Sequence, residues 1–173
     1  MDRAVPRRRE IIDRKALYSG LVEMAEWSGI TARNRPEVLA VFKQALADGV
    51  REVRDRFEAQ GVRGADTIRA QAYLLDQLIR VLYDLTVTYA YPVANPTTGE
   101  RLSIVATGGF GRGELAPFSD IDLMFLLDYK RTPRTEQVIE YMLYMLWDMG
   151  LTVGHATRSV EEAVKLSRTD LTI

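Results

Sequence analysis

The sequence contains no cysteine among its 173 residues and only one histidine, His155. Without cysteine the chain can form no disulfide and can offer no thiolate to a metal ion. A single histidine excludes every mechanism that needs two or more, including hydrolase metal sites built from several histidines and aspartates. These two absences remove thiolate and multi-histidine chemistry from the candidate functions.

Long hydrophobic runs are also missing. No apolar stretch approaches the ~20 residues of a membrane span, and no apolar signal-peptide core follows the charged start "MDRAVPRRRE". The net charge of −1 gives no bulk attraction to nucleic acid or to a membrane. We therefore expect a cytoplasmic protein that binds neither, with a hydrophobic content of 47%, which suits one domain plus a helical extension.

Residues 1–95 are expected to form a helical N-terminal extension. Pro36 is placed where the first turn of a helix tolerates proline, with Asn34 as a candidate cap. An apolar stripe at helical spacing follows, made of Val38, Phe42, Ala45, Leu46, Val50, Val53 and Phe57. The predicted helices span residues 11–27, 36–60, and about 66 to the proline-containing loop at 91–100.

Residues 96–173 are expected to form an α/β core that is truncated at its C-terminal end, because "TDLTI" carries no terminating signal. The predicted elements are a strand at 102–107, a strand at 120–128, a helix at 135–149, a strand at 151–159 and a helix that Ser159 and Glu162 begin as a capping box. The second strand is almost entirely apolar past Asp122, which predicts burial on both faces. This order is typical of a mixed α/β fold.

Two aspartates lie one residue apart in "ATGGFGRGELAPFSDIDLMFLL", residues 106–127. Because strand residues two apart point to the same face, Asp120 and Asp122 should aim their carboxylates together. Two close carboxylates repel each other unless a cation lies between them or one stays protonated. Mg²⁺ prefers oxygen ligands and usually takes one or two carboxylates plus substrate phosphates. Asp120 and Asp122 are therefore the candidate catalytic residues and metal ligands.

Paired glycines precede these aspartates. Gly108 and Gly109 lack a Cβ atom, so their backbone N–H groups can approach a phosphate closely. Arg112 and Ser119 are candidates to contact the phosphate oxygens, whereas Glu114 is expected to pair with Arg112 or Arg101. A glycine turn that holds a triphosphate, next to carboxylates that hold its metal ion, is the arrangement needed for nucleotidyl transfer.

Plainer readings of these motifs compete with the catalytic one. A Gly-Gly pair is usually only a turn, and an Asp-x-Asp pair is usually solvated surface or a cap. A calcium loop would need a further Asp and Gly that are missing, and "GFGRGE" lacks the spacing of a dinucleotide fingerprint and is not expected to open a helix. The occurrence of both motifs on consecutive strands, with an apolar run directly after the second aspartate, favours the catalytic reading.

The same residues resemble the nucleotidyltransferase core of the bifunctional PII uridylyltransferase/uridylyl-removing enzymes. The resemblance covers about residues 100–173 through "GGFGRGELAPFSDIDLMFLL", "LWDMGLTVGHATRS" and "SRTDLTI", and covers the N-terminal helices only loosely. The residues that match the family's paired glycines and its Ser-Asp-x-Asp motif are Gly108, Gly109, Ser119, Asp120 and Asp122.

This resemblance implies a Mg²⁺-dependent enzyme that moves UMP from UTP onto a tyrosine of the PII nitrogen-signalling protein and releases pyrophosphate. In that family the reverse hydrolysis runs on a separate His-Asp metal domain, and paired C-terminal domains sense glutamine. One histidine cannot build the first of these domains. We expect the chain to be an N-terminal fragment that also lacks the second.

The resemblance leaves the metal shell and the substrates open. The superfamily commonly adds a third carboxylate from the strand after the intervening helix, yet residues 151–159 contain no acid. Either Asp170 serves instead, or two carboxylates work with His155 nearby, although a solitary histidine is more often structural. A transferase that uses another nucleotide and acceptor remains an alternative. So does a catalytically inactive nucleotide-binding or regulatory module, which the missing acid favours.

Overall fold

The computed structural model of the chain describes residues 5–28, 30, 34–95 and 97–169. The helices and strands form a mixed α/β fold, which confirms the predicted fold class. In chain order the elements are α1 (Arg8–Ile11), α2 (Arg14–Ser28), α3 (Arg35–Glu58), α4 (Gly64–Leu85), β1 (Leu102–Ala106), α5 (Gly108–Gly111), β2 (Ile121–Leu127), α6 (Pro133–Asp148), β3 (Val153–Ser159) and α7 (Val160–Thr169).

The helix predicted over residues 11–27 corresponds to α2, which begins at Arg14 after a break that separates it from α1. Ile12 adopts an extended conformation with φ −159°, which ends α1. Asp13 then begins α2, because its Oδ1 accepts a hydrogen bond of 3.0 Å from the N–H of Ala16. An aspartate that satisfies an otherwise unpaired N–H group at a helix start is a favourable cap, and this explains the break.

Helices α3 and α4 pack against each other and confirm the two long predicted helices. Val38, Phe42 and Val53 of the predicted stripe are 0–3% exposed, whereas Phe57 at the end of α3 is 50% exposed. The stripe is therefore buried or half-buried along most of α3 and becomes exposed at the C-terminal end of the helix. Asn34 precedes α3 as predicted, but its side chain makes no capping hydrogen bond.

The end of α4 connects the helical part to the sheet. The helix continues as one π-helical turn over Thr86–Ala90, where Thr86 Oγ1 donates to the carbonyl oxygen of Leu82 at 2.6 Å. Arg134 of α6 donates to the carbonyl oxygen of Tyr91 at 2.9 Å. On α4 itself, Tyr83 donates to the carbonyl oxygen of Leu102 in β1 at 2.9 Å, and burial raises the pKa of this tyrosine.

The three strands form one mixed sheet in the order β1-β2-β3. Strand β1 is antiparallel to β2, with Ala106 opposite Leu123. Strand β3 is parallel to β2, with Gly154 opposite Asp122. The parallel pair is connected through α6, as parallel neighbours require a crossover rather than a hairpin.

The two faces of β2 differ in burial, so the predicted burial of both faces is wrong. The inner face comprises Ile121, Leu123, Phe125 and Leu127, each 0–2% exposed, and it joins the core formed with α4 and α6. The outer face comprises Asp122, which is exposed, and Met124 and Leu126, which are half-buried. In the described part of the chain, helices cover only one side of this strand, although its sequence is apolar on both sides.

The elements after β2 begin and end at local signals. Thr132 caps α6 by accepting a hydrogen bond of 3.2 Å from the N–H of Thr135. Gly150, with φ +87°, follows the end of α6, as expected for a glycine stop. The capping box of α7 is confirmed: the N–H of Ser159 donates to Glu162 Oε2 at 2.8 Å, and the N–H of Glu162 donates to Ser159 Oγ at 3.1 Å.

Within the described ranges, no helix combines the length and the apolar character needed to cross a bilayer.

Candidate active site

Asp122 is the second residue of β2 and lies between the glycine turn that follows β1 and the neighbouring strand β3. Its backbone carbonyl accepts a hydrogen bond of 2.9 Å from the N–H of Thr107. Its carboxylate is exposed and lies between two glycines from different elements. A Cβ atom built on Gly108 would be 2.6 Å from Asp122 Oδ2, and one built on Gly154 would be 2.7 Å from Oδ1. The structure thus brings the predicted glycine turn and the predicted carboxylate into direct contact.

Gly108 and Gly109 begin the one-turn helix α5, contrary to the prediction that no helix opens at this motif. The turn closes because the N–H of Gly111 donates to the carbonyl oxygen of Thr107 at 2.7 Å. Gly108 itself has φ +56°, a left-handed conformation that glycine adopts without a steric penalty. A helix of only four residues has no periodic apolar pattern, which is why the sequence did not reveal it.

Gly109 contacts the return loop, residues 112–120 between α5 and β2, rather than Asp122. Its carbonyl accepts a hydrogen bond of 3.0 Å from the N–H of Glu114, and a Cβ atom on Gly109 would be 2.9 Å from the carbonyl oxygen of Glu114. The missing side chain therefore lets the loop fold back onto α5. The expected pairing of Glu114 with Arg112 is present at 3.9 Å, and both side chains remain largely exposed.

The loop that leads to the carboxylates is anchored at one end and strained at the other. Leu115 is 3% exposed, and its N–H donates to the carbonyl oxygen of Ile68 in α4 at 3.2 Å. A tight turn follows, in which the N–H of Ser119 donates to the carbonyl oxygen of Ala116 at 3.1 Å. Phe118 in this turn has φ +67° and is 98% exposed. Sequence reasoning missed this residue, although Pro117 is the residue type preferred one position earlier in such turns.

Asp120 and Ser119 lie in the last two positions before β2, and both side chains are exposed. The strand starts firmly after them, because the N–H of Ile121 donates to the carbonyl oxygen of Thr152 at 2.9 Å. The described residues contain no group of three or more histidine, cysteine, aspartate or glutamate side chains placed to hold a metal ion. Mg²⁺ takes oxygen ligands and usually one or two carboxylates, so the donor type of these two side chains suits this ion.

His155 lies away from the carboxylate of Asp122. It is opposite Leu123 in the register of β2 and β3, so it lies on the inner side of the sheet, where its side chain is exposed beyond the core, whereas Asp122 is on the outer face. Its ring makes an edge contact with Trp147 of α6 at a centroid distance of 6.0 Å. This position favours the structural reading of His155. Asp170, the other candidate to complete the site, lies outside the described residues.

Comparisons with known proteins show what the chain is similar to. Residues 96–167 match the family model described as a nucleotidyltransferase domain. The chain is 55% identical over 169 residues to a bifunctional uridylyltransferase/uridylyl-removing enzyme of Azospirillum brasilense, a match that covers 98% of the chain and 18% of the relative. The protein of the same name from Rhodospirillum rubrum is 53% identical, and the match covers 95% of the chain and 18% of the relative. The one from Caulobacter vibrioides is 48% identical, and the match covers 94% of the chain and 17% of the relative.

The chain thus spans less than a fifth of the length of these relatives. No solved structure matches it significantly.

Proposed function

Because the chain belongs to the nucleotidyltransferases, as a homologue of the bifunctional uridylyltransferase/uridylyl-removing enzymes, we propose that it transfers UMP from UTP onto a tyrosine of the PII nitrogen-signalling protein. The observation that carries this proposal is the contact between Gly108 and the carboxylate of Asp122. This contact supports the proposal because a carboxylate that would hold a metal ion lies beside a backbone bend that a triphosphate could approach. The name of the relatives supports uridylyl as the transferred group.

In the proposed reaction the tyrosine oxygen attacks the α-phosphorus of UTP. A new oxygen–phosphorus bond forms, the bond from the α-phosphorus to the bridging oxygen breaks, pyrophosphate leaves, and the proton of the tyrosine hydroxyl passes to solvent. Asp120 and Asp122 would hold Mg²⁺, and the bound ion would supply charge neutralisation at the phosphates. The rest of the work is positioning, as in other phosphoryl and nucleotidyl transfers.

The residues around the carboxylates would orient the phosphates. The backbone at Gly108 faces the site without a side chain, and Gly109 holds the return loop against α5. Arg112 and Ser119 are exposed on this loop and are proposed to contact phosphate oxygens. The side chain of Arg112 is 69% exposed and only weakly paired with Glu114, so it can turn towards a bound triphosphate.

The test is Mg²⁺-dependent release of pyrophosphate from UTP by the full chain, with and without PII. We expect release that depends on PII and labels it with UMP. Asp122→Asn should reduce the rate by roughly 10²–10³-fold, the usual loss when a group that stabilises transition-state charge is removed. Asp128→Asn is the matched control, since Asp128 is exposed directly after β2 and lies outside the proposed site.

The other outcomes identify the alternatives. Nucleotide binding without pyrophosphate release would show an inactive nucleotide-binding or regulatory module, which the absence of an acid on β3 beside Asp122 favours. Faster release from ATP, CTP or GTP than from UTP would show a transferase with another donor. Equal losses in Asp122→Asn and Asp128→Asn would contradict the proposed site. The boundary between residues 95 and 96, the cytoplasmic location and glutamine sensing by further domains stay predictions.

A further inference from the structure

We propose that Gly154 of β3 is a positioning residue for Asp122: by lacking a side chain, it leaves the space in which one oxygen of the catalytic carboxylate lies. This inference rests on the proposed function for its consequence in catalysis. Its geometric part concerns two residues on neighbouring strands and can be tested without turnover. The sequence left open whether Gly154 or His155 lies near the carboxylates.

The carboxylate of Asp122 occupies a slot between two glycines. A Cβ atom on Gly154 would be 2.7 Å from Asp122 Oδ1 and 3.8 Å from Cγ. On the other side, a Cβ atom on Gly108 would be 2.6 Å from Asp122 Oδ2 and 3.5 Å from Cγ. Side-chain carbons do not approach oxygen so closely, so each oxygen uses the room left by one missing side chain. The slot therefore determines where both oxygens lie.

Gly154 is informative because its backbone does not require glycine. It lies within the extended strand β3, directly opposite Asp122 in the parallel register, and it is not among the residues with positive φ. Glycine inside a strand is destabilising relative to alanine. Among the described residues other than its two chain neighbours, only Asp122 has heavy atoms within 4 Å of the built Cβ. The one contact that an alanine would meet is thus the catalytic carboxylate.

The same strand accepts side chains elsewhere on this face. Two residues further along, Ala156 lies opposite Met124, and Arg158 lies opposite Leu126. On the outer face of β3, glycine is therefore found at the position opposite Asp122 and not at the next two positions. Gly108 is a poorer probe, because its φ of +56° makes any substitution strained whatever the space around it.

Because the obstructing atom is at the end of a side chain, an alanine at position 154 should be accommodated by rotation of Asp122. The backbone of β3 need not move, since no backbone atom of the described residues beyond its two chain neighbours lies within 4 Å of the built Cβ. The oxygens would then leave the positions in which they face Gly108 and Gly154. We expect Gly154→Ala to keep the fold and to weaken metal binding and transfer.

The experiment compares Gly154→Ala with Gly20→Ala in the full chain. Gly20 lies in α2 with nothing within 4 Å of a built Cβ, so it is the same chemical change in open space. Mn²⁺ binding, measured by electron paramagnetic resonance without nucleotide, should weaken roughly 10–100-fold in Gly154→Ala, the usual effect of disturbing a residue that orients a metal ligand. Gly20→Ala should bind Mn²⁺ as the unmodified chain does.

A thermal-stability cycle tests the contact without any metal or substrate. If Asp122 Oδ1 is what alanine meets, Gly154→Ala should raise the Tm more in an Asp122→Ala background than in the unmodified chain. Identical Tm changes in both backgrounds, or unfolding of Gly154→Ala, would overturn the inference. So would Mn²⁺ affinity and transfer equal to the unmodified chain while Asp122→Asn abolishes transfer.

Failure of the proposed function has a different signature. A chain that never transfers UMP, yet shows the Tm coupling and the weakened Mn²⁺ binding, would keep Gly154 as the positioning residue of a metal site and reject the reaction.

Discussion

The inner and outer faces of β2 are made by alternate residues of one strand, yet they serve different purposes. The inner residues Leu123 and Phe125 are 2% and 0% exposed and pack with α4 and α6. The outer residue Asp122 is exposed between two glycines. Alternation lets seven residues supply both a core and a carboxylate. The buried inner face therefore positions the candidate site on the outer face. We expect substitutions on the inner face to lower stability and substitutions of Asp122 to lower activity.

The largest effect should come from Phe125→Ala on the inner face. Removing a fully buried phenyl ring loses its transfer free energy and leaves a cavity, which costs about 3–5 kcal/mol of the free energy of unfolding. Leu126→Ala, the half-buried neighbour on the outer face, should cost about 1 kcal/mol. Urea unfolding of both variants measures the difference. Similar losses for the two would mean that the faces are equally packed, against the exposures described above.

The next effect concerns the strained turn that leads to the outer face. Phe118 has φ +67° with its ring in solvent, so Phe118→Gly should stabilise the fold by about 1 kcal/mol through relief of the left-handed strain. Phe118→Ala is the control, because it removes the ring and keeps the strain. Thermal unfolding should show a gain for glycine only. An equal gain for alanine would attribute the effect to the exposed ring.

His155 tests whether the two faces are chemically independent. Because its ring packs on Trp147 at the inner face, His155→Gln should cost about 0.5–1 kcal/mol of stability and leave the rate of transfer within about twofold. Asp122→Asn has the reverse pattern, with loss of transfer and an unchanged fold. A pH–rate profile of His155→Gln that differs from that of the unmodified chain would place His155 in the chemistry after all.

The smallest effect should come from the C-terminal end of β3, where the exposed carboxylate of Glu162 accepts a hydrogen bond from the backbone of Ser159. The backbone N–H of Ser159 holds the pKa of Glu162 below its ordinary value of 4.5. A lowered folded-state pKa stabilises the fold above pH 4.5, and this contribution is lost as the pH falls below 4.5 through the folded-state pKa. Glu162→Gln should therefore flatten the decrease of Tm between about pH 5 and pH 3. An unchanged decrease would show that the capping bond is too weak to matter.

Much of the fold follows from short-range patterns. The long helices, the three strands and the capping box at Ser159 all appear where periodicity and spacing predict them. The start of α2 shows the limit of these patterns, since the capping bond of Asp13 makes the helix begin at Arg14 and not at the predicted residue 11. The Gly-Gly and Asp-x-Asp motifs were visible, yet their spacing along the chain did not show that Gly108 rather than Gly109 contacts Asp122.

The sequence alone determined the chemistry available to this protein. With no cysteine and one histidine, it excluded thiolate and multi-histidine sites, and its paired glycines and Asp-x-Asp motif indicated the nucleotidyltransferase family. Only the tertiary structure decided that Gly154, and not His155, lies beside Asp122. The reason is physical: the register of two parallel strands joined through a helix is set by packing across the whole core. A shift of one residue would exchange the two faces of β3 without changing any local pattern.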